Sequence, residues 1–530
     1  MAKNGLEISF SVVSEYRNVP SLGKLQAYLI DDRWDDWGSY RTQFHLVVFD
    51  QEGNQHRLGN VKIGQFGLKP SGVTEPGQRA PSVPKVFKKL DETFFSLGQE
   101  DEYYEQLGKL PAKLRDAITH AMRDVVADRE LWHDIQEEQV TTTSLLRSVT
   151  TTTVERAYRR MLGGGDRLTS YSFRYDYPKR GKDADSTPLS LEFQVRPESF
   201  PPTNVHVIIG GNGVGKTYTL TQMVKALAAG GPHTGGDFGS FTSAENEWNS
   251  EAFANVVMVS FSAFDPFDTI DSSWEIKDGM KHSYIGLKEY DGSPKRANKP
   301  KTPEQLVAEL DRTIGACLVG ARRKRWIASL KTLESDPVFA DFEISQKLSE
   351  AKEESKLQPS YPLLNELSSG HKIVLLTVAG LIEKVEERTL VLLDEPESHL
   401  HPPLLAAFVR TLSDILIDRN GVAIVATHSP VVLQEVPKNC VWKLRRIGLE
   451  CVPERPVIET FGENIGVLTR EVFTLEVTAS GFHQILKEVV AQVDTYEEAV
   501  EKFRGRLGGE ARAILRAMMS NKDSDTDGDS

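Results

Sequence analysis

Hydrophobic and polar residues alternate with a period of two in the first part of the chain, which predicts β-strands. The apolar runs 44–49 and 58–63 flank a glycine-containing turn, and together they predict a hairpin. From about 85 to 165 the apolar residues are spaced as in helices, and strand patterns return between 170 and 195. We therefore predict that residues 1–200 form a β-rich N-terminal lobe with a helical insertion at about 85–165.

The second part of the chain contains short, continuous apolar runs typical of buried strands, at residues 205–209, 256–261, 389–393 and 422–426. Segments with helical spacing lie between them, and this alternation predicts an α/β fold around a mostly parallel sheet. Residues 265–300 have an irregular pattern, whereas 303–366 are mainly helical.

We predict an α/β core over residues 201–455, with a helical subdomain at about 265–366. A C-terminal helical segment over 456–522 and a disordered acidic tail over 523–530 complete the predicted organisation.

Composition places the chain among ordinary water-soluble globular proteins. Hydrophobic residues make up 39% of the chain and charged residues 26%, and the net charge is −13. No apolar run approaches the roughly 18 residues that a membrane span requires, and the polar start does not resemble a signal peptide. The three cysteines, Cys317, Cys440 and Cys451, have no metal-type spacing. We expect a cytoplasmic protein without membrane contact.

The apolar run 205–209 ends in a glycine-rich loop that matches the phosphate-binding pattern G-x-x-x-x-G-K-[ST] between a strand and a helix. The residues of this loop are Gly210, Gly211, Asn212, Gly213, Val214, Gly215, Lys216 and Thr217. In such a loop several backbone N–H groups point at one phosphate, and a helix N-terminus faces it. Lys216 is predicted to reach the β- and γ-phosphates, and the Thr217 hydroxyl is predicted to hold Mg²⁺. The pattern therefore predicts a nucleotide site with ATP and Mg²⁺.

Two further apolar runs end in polar residues at the same predicted edge of the sheet. The run at 389–393 delivers Asp394 and Glu395, and the run at 422–426 leads to Thr427 and His428. Asp394 fits a ligand of Mg²⁺, and Glu395 fits the group that orients or deprotonates the attacking water. His428 is predicted to reach the γ-phosphate from the neighbouring strand.

A fourth motif, Ser368-Ser369-Gly370, opens an apolar helix upstream of the Asp394 strand. Hydroxyls and a glycine at a helix start can bind phosphate, but this signal is weak when it stands alone.

Taken together and in this order, the four motifs resemble those of the ABC-type ATPase superfamily over residues 200–445. The resemblance implies an ABC-type ATPase head, with a parallel P-loop core sheet, an antiparallel β lobe and helical insertions. It also implies a homo-oligomer in which two heads sandwich ATP. Ser368, Ser369 and Gly370 would then contact nucleotide bound to the other subunit.

The sequence departs from the pattern of that superfamily at two places. His371 stands where many members carry Gln or Glu. The run at 256–261 leads to Ser262 and Asp265 without the usual metal-sensing glutamine. Ser262 and Asp265 are the candidates to replace this glutamine, and the choice between them is left open.

The motif Glu-Pro-Glu-x-His-Leu-His-Pro at residues 395–402 resembles that of the RecF-, OLD- and SMC-related branch of this superfamily more than that of the transporter ATPases. Residues 367–385, 394–403 and 427–437 are similar in sequence to stand-alone ATPases of bacterial anti-phage systems, namely the Septu and retron-associated ATPases. That resemblance implies a separate nuclease subunit, of HNH type, as partner. The alternatives are a RecF-like DNA repair or maintenance ATPase, a transporter ATPase, and a nucleotide sensor or scaffold that does not hydrolyse ATP.

A basic segment over residues 281–331 contrasts with the acidic chain. It holds twelve Lys and Arg against five Asp and Glu, and its densest part is Arg322-Arg323-Lys324-Arg325-Trp326. Two interpretations remain open, a DNA phosphate contact with an aromatic ring beside it, and a solvated helix face.

Overall fold

The computed structural model describes residues 6–32, 39–70, 79–147, 149–151, 153–177, 189–228, 238–243, 253–261, 281–288, 300–318, 321–350, 367–447, 450–479 and 481–526. The positions proposed for the missing glutamine, Ser262 and Asp265, lie outside these residues, as do 527–530 of the predicted tail.

The N-terminal lobe is built on a six-stranded sheet with the order β5-β1-β2-β3-β4-β6. Its strands are β1 (Ser9–Val13), β2 (Gln26–Asp31), β3 (Gln43–Phe49), β4 (Gln55–Gln65), β5 (Val86–Phe87) and β6 (Phe94–Gly98). The hairpin predicted from alternation is β3–β4. The β1–β2 pair is parallel, and the other pairs are antiparallel.

Helices cover this sheet and share one apolar core with it. They are α1 (Asp101–Lys109), α2 (Ala112–Met122), α3 (Arg129–Asp134) and α4 (Arg159–Leu162), with π-helical turns at Thr141–Leu145 and Thr153–Tyr158. The helical part begins at Asp101, later than the predicted start near 85, because residues 86–98 supply the two edge strands of the sheet.

Ten strands build the second part of the fold. They are β7 (Tyr171–Tyr177), β8 (Leu189–Val195), β9 (Val205–Ile209), β10 (Ser240–Ser243), β11 (Asn255–Ser260), β12 (Lys281–Gly286), β13 (Thr389–Asp394), β14 (Val422–Thr427), β15 (Val441–Ile447) and β16 (Glu450–Glu454). Seven of them form one sheet in the order β12-β11-β13-β14-β9-β15-β16, parallel except for the β15–β16 pair. The remaining three form the antiparallel sheet β10-β7-β8.

The small antiparallel sheet packs on the parallel one. Phe173 and Phe193 share an apolar core with Leu390 and Leu392 of β13. Residues 171–195 therefore belong with the core sheet, and the boundary predicted near residue 200 is placed too late in the chain.

Both faces of the parallel sheet are buried, which explains the continuous apolar runs of its strands. Alternate residues of β13 point to opposite sides, with Leu390 and Leu392 in one core and Val391 and Leu393 in the other. One face is covered by α5 (Lys216–Ala228), and the other by α10 (Ser369–Lys384), α11 (Pro402–Asp418) and α12 (Pro430–Gln434).

The predicted helical subdomain contains α6 (Pro303–Cys317), α7 (Ala321–Leu333), α8 (Pro337–Phe342) and α9 (Ile344–Glu350). Residues 281–286, expected to be irregular, instead form β12 at the edge of the parallel sheet, paired with β11.

The C-terminal segment comprises α13 (Ile465–Ala479), α14 (Phe482–Val490), α15 (Tyr496–Lys502) and α16 (Gly509–Thr526). The last three enclose a small apolar core around Leu486 and Leu515. Because α16 extends to Thr526, residues 523–526 are helical, and the predicted disordered tail began too early.

Ion pairs join the N-terminal lobe to the core sheet. Arg419, at the end of α11, binds Asp101 of α1 with Nη1 3.1 Å from Oδ2, and both side chains are 12% exposed. Arg167 pairs with Asp418 beside them. The Arg419–Asp101 contact joins residues 318 positions apart in the sequence, and the Arg167–Asp418 contact joins residues 251 positions apart.

We expect Arg419→Met to lower the free energy of unfolding by about 3–5 kcal/mol, because removing one member of a buried pair leaves a carboxylate without its partner. Urea denaturation measures the change. The matched control is Arg410→Met on the same helix, whose ion pair with Asp414 is 44% exposed on the arginine side. An exposed pair contributes about 0–1 kcal/mol. Equal effects of the two substitutions would contradict this assignment.

Candidate nucleotide-binding site

The glycine-rich loop lies between β9 and α5, as its pattern predicts. Gly213 and Gly215 have φ angles of +75° and +104°, a region that side chains with a Cβ rarely adopt. A Cβ on Gly210 would lie 2.4 Å from the Leu444 carbonyl oxygen, so β15 approaches the loop too closely for any other residue. These glycines are therefore required by the shape of the loop.

The loop lysine is directed into its own loop. Lys216 is 5% exposed, and its Nζ donates hydrogen bonds to the carbonyl oxygens of Gly210 and Gly211 at 2.9 and 3.0 Å. On the outer side, Arg446 of β15 donates to the Gly213 carbonyl at 3.0 Å. The loop is thus held from both sides, and Nζ lies where an anion in the loop would meet it.

Thr217 and Asp394 are brought into direct contact, although 177 positions separate them in the sequence. The Thr217 hydroxyl lies 3.0 and 2.8 Å from the two carboxylate oxygens of Asp394. Strand β14 lies between β13 and β9 in register, so Asp394, Thr427 and Ile209 stand at the same edge of the sheet. A hydroxyl and a carboxylate at this spacing provide the oxygen ligands that Mg²⁺ prefers.

Glu395 adopts the left-handed conformation, with φ 44° and ψ 58°, which is uncommon for a residue other than glycine. Its backbone N–H donates to the Ala426 carbonyl at 2.8 Å, which anchors it to β14. The carboxylate is 31% exposed, and its Oε1 lies 3.7 Å from Nδ1 of His428. Backbone strain of this kind is concentrated at functional sites.

The structure places one more residue, Glu397, among the site residues that were predicted from the sequence. Its Oε1 accepts hydrogen bonds from the Thr427 hydroxyl at 2.7 Å and from the His428 backbone N–H at 2.8 Å. The same oxygen lies 3.2 Å from His428 Nδ1. Glu397 thereby ties the turn after Asp394 to the loop that carries His428. In the sequence, Glu397 could be noticed as the second glutamate of the Glu-Pro-Glu motif. Nothing in the sequence pointed to Arg446.

The Ser368-Ser369-Gly370 motif begins α10, with Ser368 as its N-cap residue. A Cβ on Gly370 would lie 2.5 Å from the His399 carbonyl oxygen, so the motif packs closely against the turn that follows Glu395. The contacts described for Ser368 and Gly370 are thus with His371 and this turn, and not with the loop of residues 210–217.

The densest part of the basic segment is only partly buried, and its Lys324 side chain is 73% exposed. Trp326 is 2% exposed, and Arg325 lies 4.0 Å from Asp418. Arg323 donates to the Leu348 carbonyl, and Lys324 lies 3.3 Å from Glu100 of the N-terminal lobe. A buried ring cannot stack on a base, and these contacts favour a structural role for the cluster.

The parallel core sheet, the attached antiparallel sheet and the glycine-rich loop beside Asp394 define an α/β P-loop fold. Protein ea59 of Escherichia phage lambda is 39% identical over 539 residues, and the match covers 97% of this chain and 99% of that protein. The chain therefore belongs to the same family as Protein ea59.

Further comparisons are narrower or more distant. Residues 326–434 match the family described as "AAA domain, putative AbiEii toxin, Type IV TA system". The structure of cbiO1 from Clostridium perfringens, part of the ABC transporter complex cbiONQ, shares 13% identity with a TM-score of 0.28, over 61% of this chain and 96% of that chain. UvrA2 from Deinococcus radiodurans shares 15% identity with a TM-score of 0.26, over 54% of this chain and 37% of that chain.

Within the residues that the structure describes, no helix is both long enough and apolar enough to cross a membrane.

Proposed function

We propose that the chain binds and hydrolyses ATP, and that two copies assemble around the nucleotide. The observation that carries this proposal is the contact between Thr217 and Asp394 beside a glycine-rich loop whose lysine points inward. In this arrangement, the backbone N–H groups of the loop, an ammonium group and a helix N-terminus can all contact one bound phosphate.

In the proposed mechanism, different residues of the chain have different roles. The loop and Lys216 bind and orient the phosphates, and Thr217 and Asp394 hold Mg²⁺. When bound, Mg²⁺ neutralises charge that develops on the phosphate oxygens. Because Asp394 is 4% exposed and already directed at the Thr217 hydroxyl, the pair is preorganised for this role.

Glu395 is the proposed general base. Its side chain is 31% exposed at the carboxyl edge of the sheet, so water can approach it. His428, 3.7 Å from its carboxylate, is proposed to sense the γ-phosphate. Glu397 holds the backbone of the His428 loop, so a change at this histidine is transmitted to the turn after Asp394.

The site is proposed to be completed by a second copy. Ser368, Ser369 and Gly370 form a helix N-terminus that packs against the turn after Glu395, on contacts separate from the chain's own phosphate loop. In the arrangement that the ABC-type resemblance implies, this motif meets the nucleotide of the partner copy. ATP hydrolysis then depends on the assembly of two copies. The interface between the two heads is the part of the protein that switches between two states.

The assembled chain is proposed to control a separate effector protein, a nuclease of HNH type, in anti-phage defence. Several apolar side chains on the C-terminal segment are each at least 41% exposed and offer contacts for such a partner: Phe461, Ile465, Val467, Phe482 and Ile485. A nuclease gene next to this one, whose product co-purifies with the chain, would support the assignment. A chain that purifies alone from cells expressing both would contradict it.

Steady-state phosphate release tests the proposed activity. We expect turnover per chain to rise with protein concentration, because the active site needs two copies. Lys216→Ala serves as the blank. A nucleotide sensor that does not hydrolyse ATP would bind ATP yet release phosphate no faster than this blank, and turnover independent of protein concentration would contradict the shared site.

A further inference from the structure

A cluster of one aspartate and two histidines lies beside the Ser368 motif and is not used by the proposed nucleotide site. Asp336, His371 and His401 bring one carboxylate oxygen and two imidazole nitrogens within 4.8 Å of one another. They come from the starts of three helices, because Asp336 precedes α8, His371 lies in the first turn of α10 and His401 precedes α11.

Two atoms of this cluster are buried without a hydrogen-bond partner among the described residues, Oδ2 of Asp336 and Nε2 of His371. The side chain of Asp336 is fully buried, and that of His371 is 5% exposed. Asp336 Oδ1 is already satisfied, since it accepts the backbone N–H groups of Val338 and Phe339 at 3.1 and 3.2 Å. A buried carboxylate with an unpaired oxygen is costly unless a cation neutralises it.

We infer that Asp336, His371 and His401 form a binding site for a divalent transition-metal ion of the Zn²⁺ type. His371 Nε2 lies 3.5 Å from Asp336 Oδ1, and His401 Nε2 lies 3.6 Å from Oδ2. Ligands 2.0–2.1 Å from a tetrahedral zinc ion are about 3.3 Å apart, so small side-chain shifts close the site. Imidazole ligands favour zinc and its neighbours over magnesium and calcium.

The surroundings of His371 suit metal ligation through Nε2. Its Nδ1 lies 2.5 Å from the Ser368 hydroxyl, and a hydrogen bond to the nitrogen that does not bind the metal fixes the orientation of a ligating imidazole. The ring of Phe339 packs edge-on at 5.0 Å. Because Ser368 also belongs to the proposed nucleotide motif, a bound ion would fix the position of that motif.

His401 completes the set from the solvent side, where its side chain is 47% exposed. Its Nδ1 accepts the Leu404 backbone N–H at 3.3 Å, a long hydrogen bond. Ligation through Nε2 leaves the proton on Nδ1, so this contact opens and water replaces it. The same exposure leaves room for a water molecule as fourth ligand, as in zinc sites with three protein ligands.

Zinc binding by the full-length chain, stripped with a chelator and titrated with Zn²⁺ against a chromophoric competitor, tests the site. We expect one ion per chain, and a Co²⁺-loaded sample with the visible absorption of tetrahedral coordination. His371→Gln, His401→Asn and Asp336→Asn should each weaken Zn²⁺ binding by more than about tenfold, since even the loss of a group that only hydrogen-bonds to a metal ligand costs about 10–100-fold. Asparagine can cap a helix at 336 and at 401, so these two variants retain the helix starts.

The matched control is His399→Ala, two positions from His401, because His399 contacts the Phe261 carbonyl instead of the cluster. It should bind Zn²⁺ as the unmodified chain does. Zinc affinity that is the same in all four variants, or an unmodified chain that retains no zinc, would overturn the inference and leave protonated histidines to neutralise Asp336. The readout is independent of ATP turnover.

Discussion

Glu395→Gln is expected to lower the rate of ATP hydrolysis by on the order of 10²–10⁴-fold, the usual contribution of a positioned general base. Glutamine keeps the size of the side chain but cannot accept a proton. ATP affinity should change little, because the contacts assigned to the phosphates come from the loop of residues 210–217. Single-turnover phosphate release and equilibrium ATP binding, measured on the same sample, separate the two effects.

A suitable control is Glu304→Gln, an exposed glutamate in the first turn of α6. Its hydrolysis rate should equal that of the unmodified chain. Hydrolysis by Glu395→Gln within a few-fold of the unmodified rate would contradict the role assigned to Glu395, and would direct attention to Glu397 as the base.

Lys216→Ala should weaken ATP binding by about 10- to 100-fold, because a hydrogen bond to a charged group contributes about 1.5–3 kcal/mol. The loop positions its Nζ between two carbonyl oxygens at 2.9 and 3.0 Å, so the ammonium group is already directed inward. Isothermal titration with ATP and Mg²⁺ measures the loss. Hydrolysis should fall below detection.

Lys225→Ala on the same helix is the matched control for this substitution. Lys225 lies 5.7 Å above the Phe238 ring and away from the loop. If both lysine variants bind ATP equally well, Lys216 is not a phosphate contact. Far-ultraviolet circular dichroism of both variants shows whether α5 is intact.

The parallel sheet could be predicted because burial on both faces leaves an unbroken apolar run in each central strand. Strand β13 is fully buried, and the two carboxylates at its end, Asp394 and Glu395, stand out against that run. In contrast, β12 contains Lys281, His282 and Ser283, and as an edge strand it shows no such run. Its pairing with β11 is a tertiary contact that local pattern does not encode.

The same limit explains the misplaced lobe boundary. Strands β7 and β8 have ordinary alternation, and only their place in the sheet β10-β7-β8 and its packing on β13 assign them to the second part of the fold. For the candidate site, the residues that belong to motifs with recognisable spacing could be predicted from the sequence. It could not supply Arg446, whose contact with Gly213 spans 233 positions, or the meeting of Asp336 with His371 and His401.

The central claim is that the nucleotide site is completed by a second copy of the chain. The most direct test is the mass of Glu395→Gln by light scattering, with ATP and Mg²⁺ and with nucleotide occupancy measured in the same sample. We predict the mass of two chains with ATP and of one chain without it. Adding Ser369→Arg should return the ATP-bound sample to one chain. A Glu395→Gln sample that is saturated with ATP and still has the mass of one chain would contradict the claim.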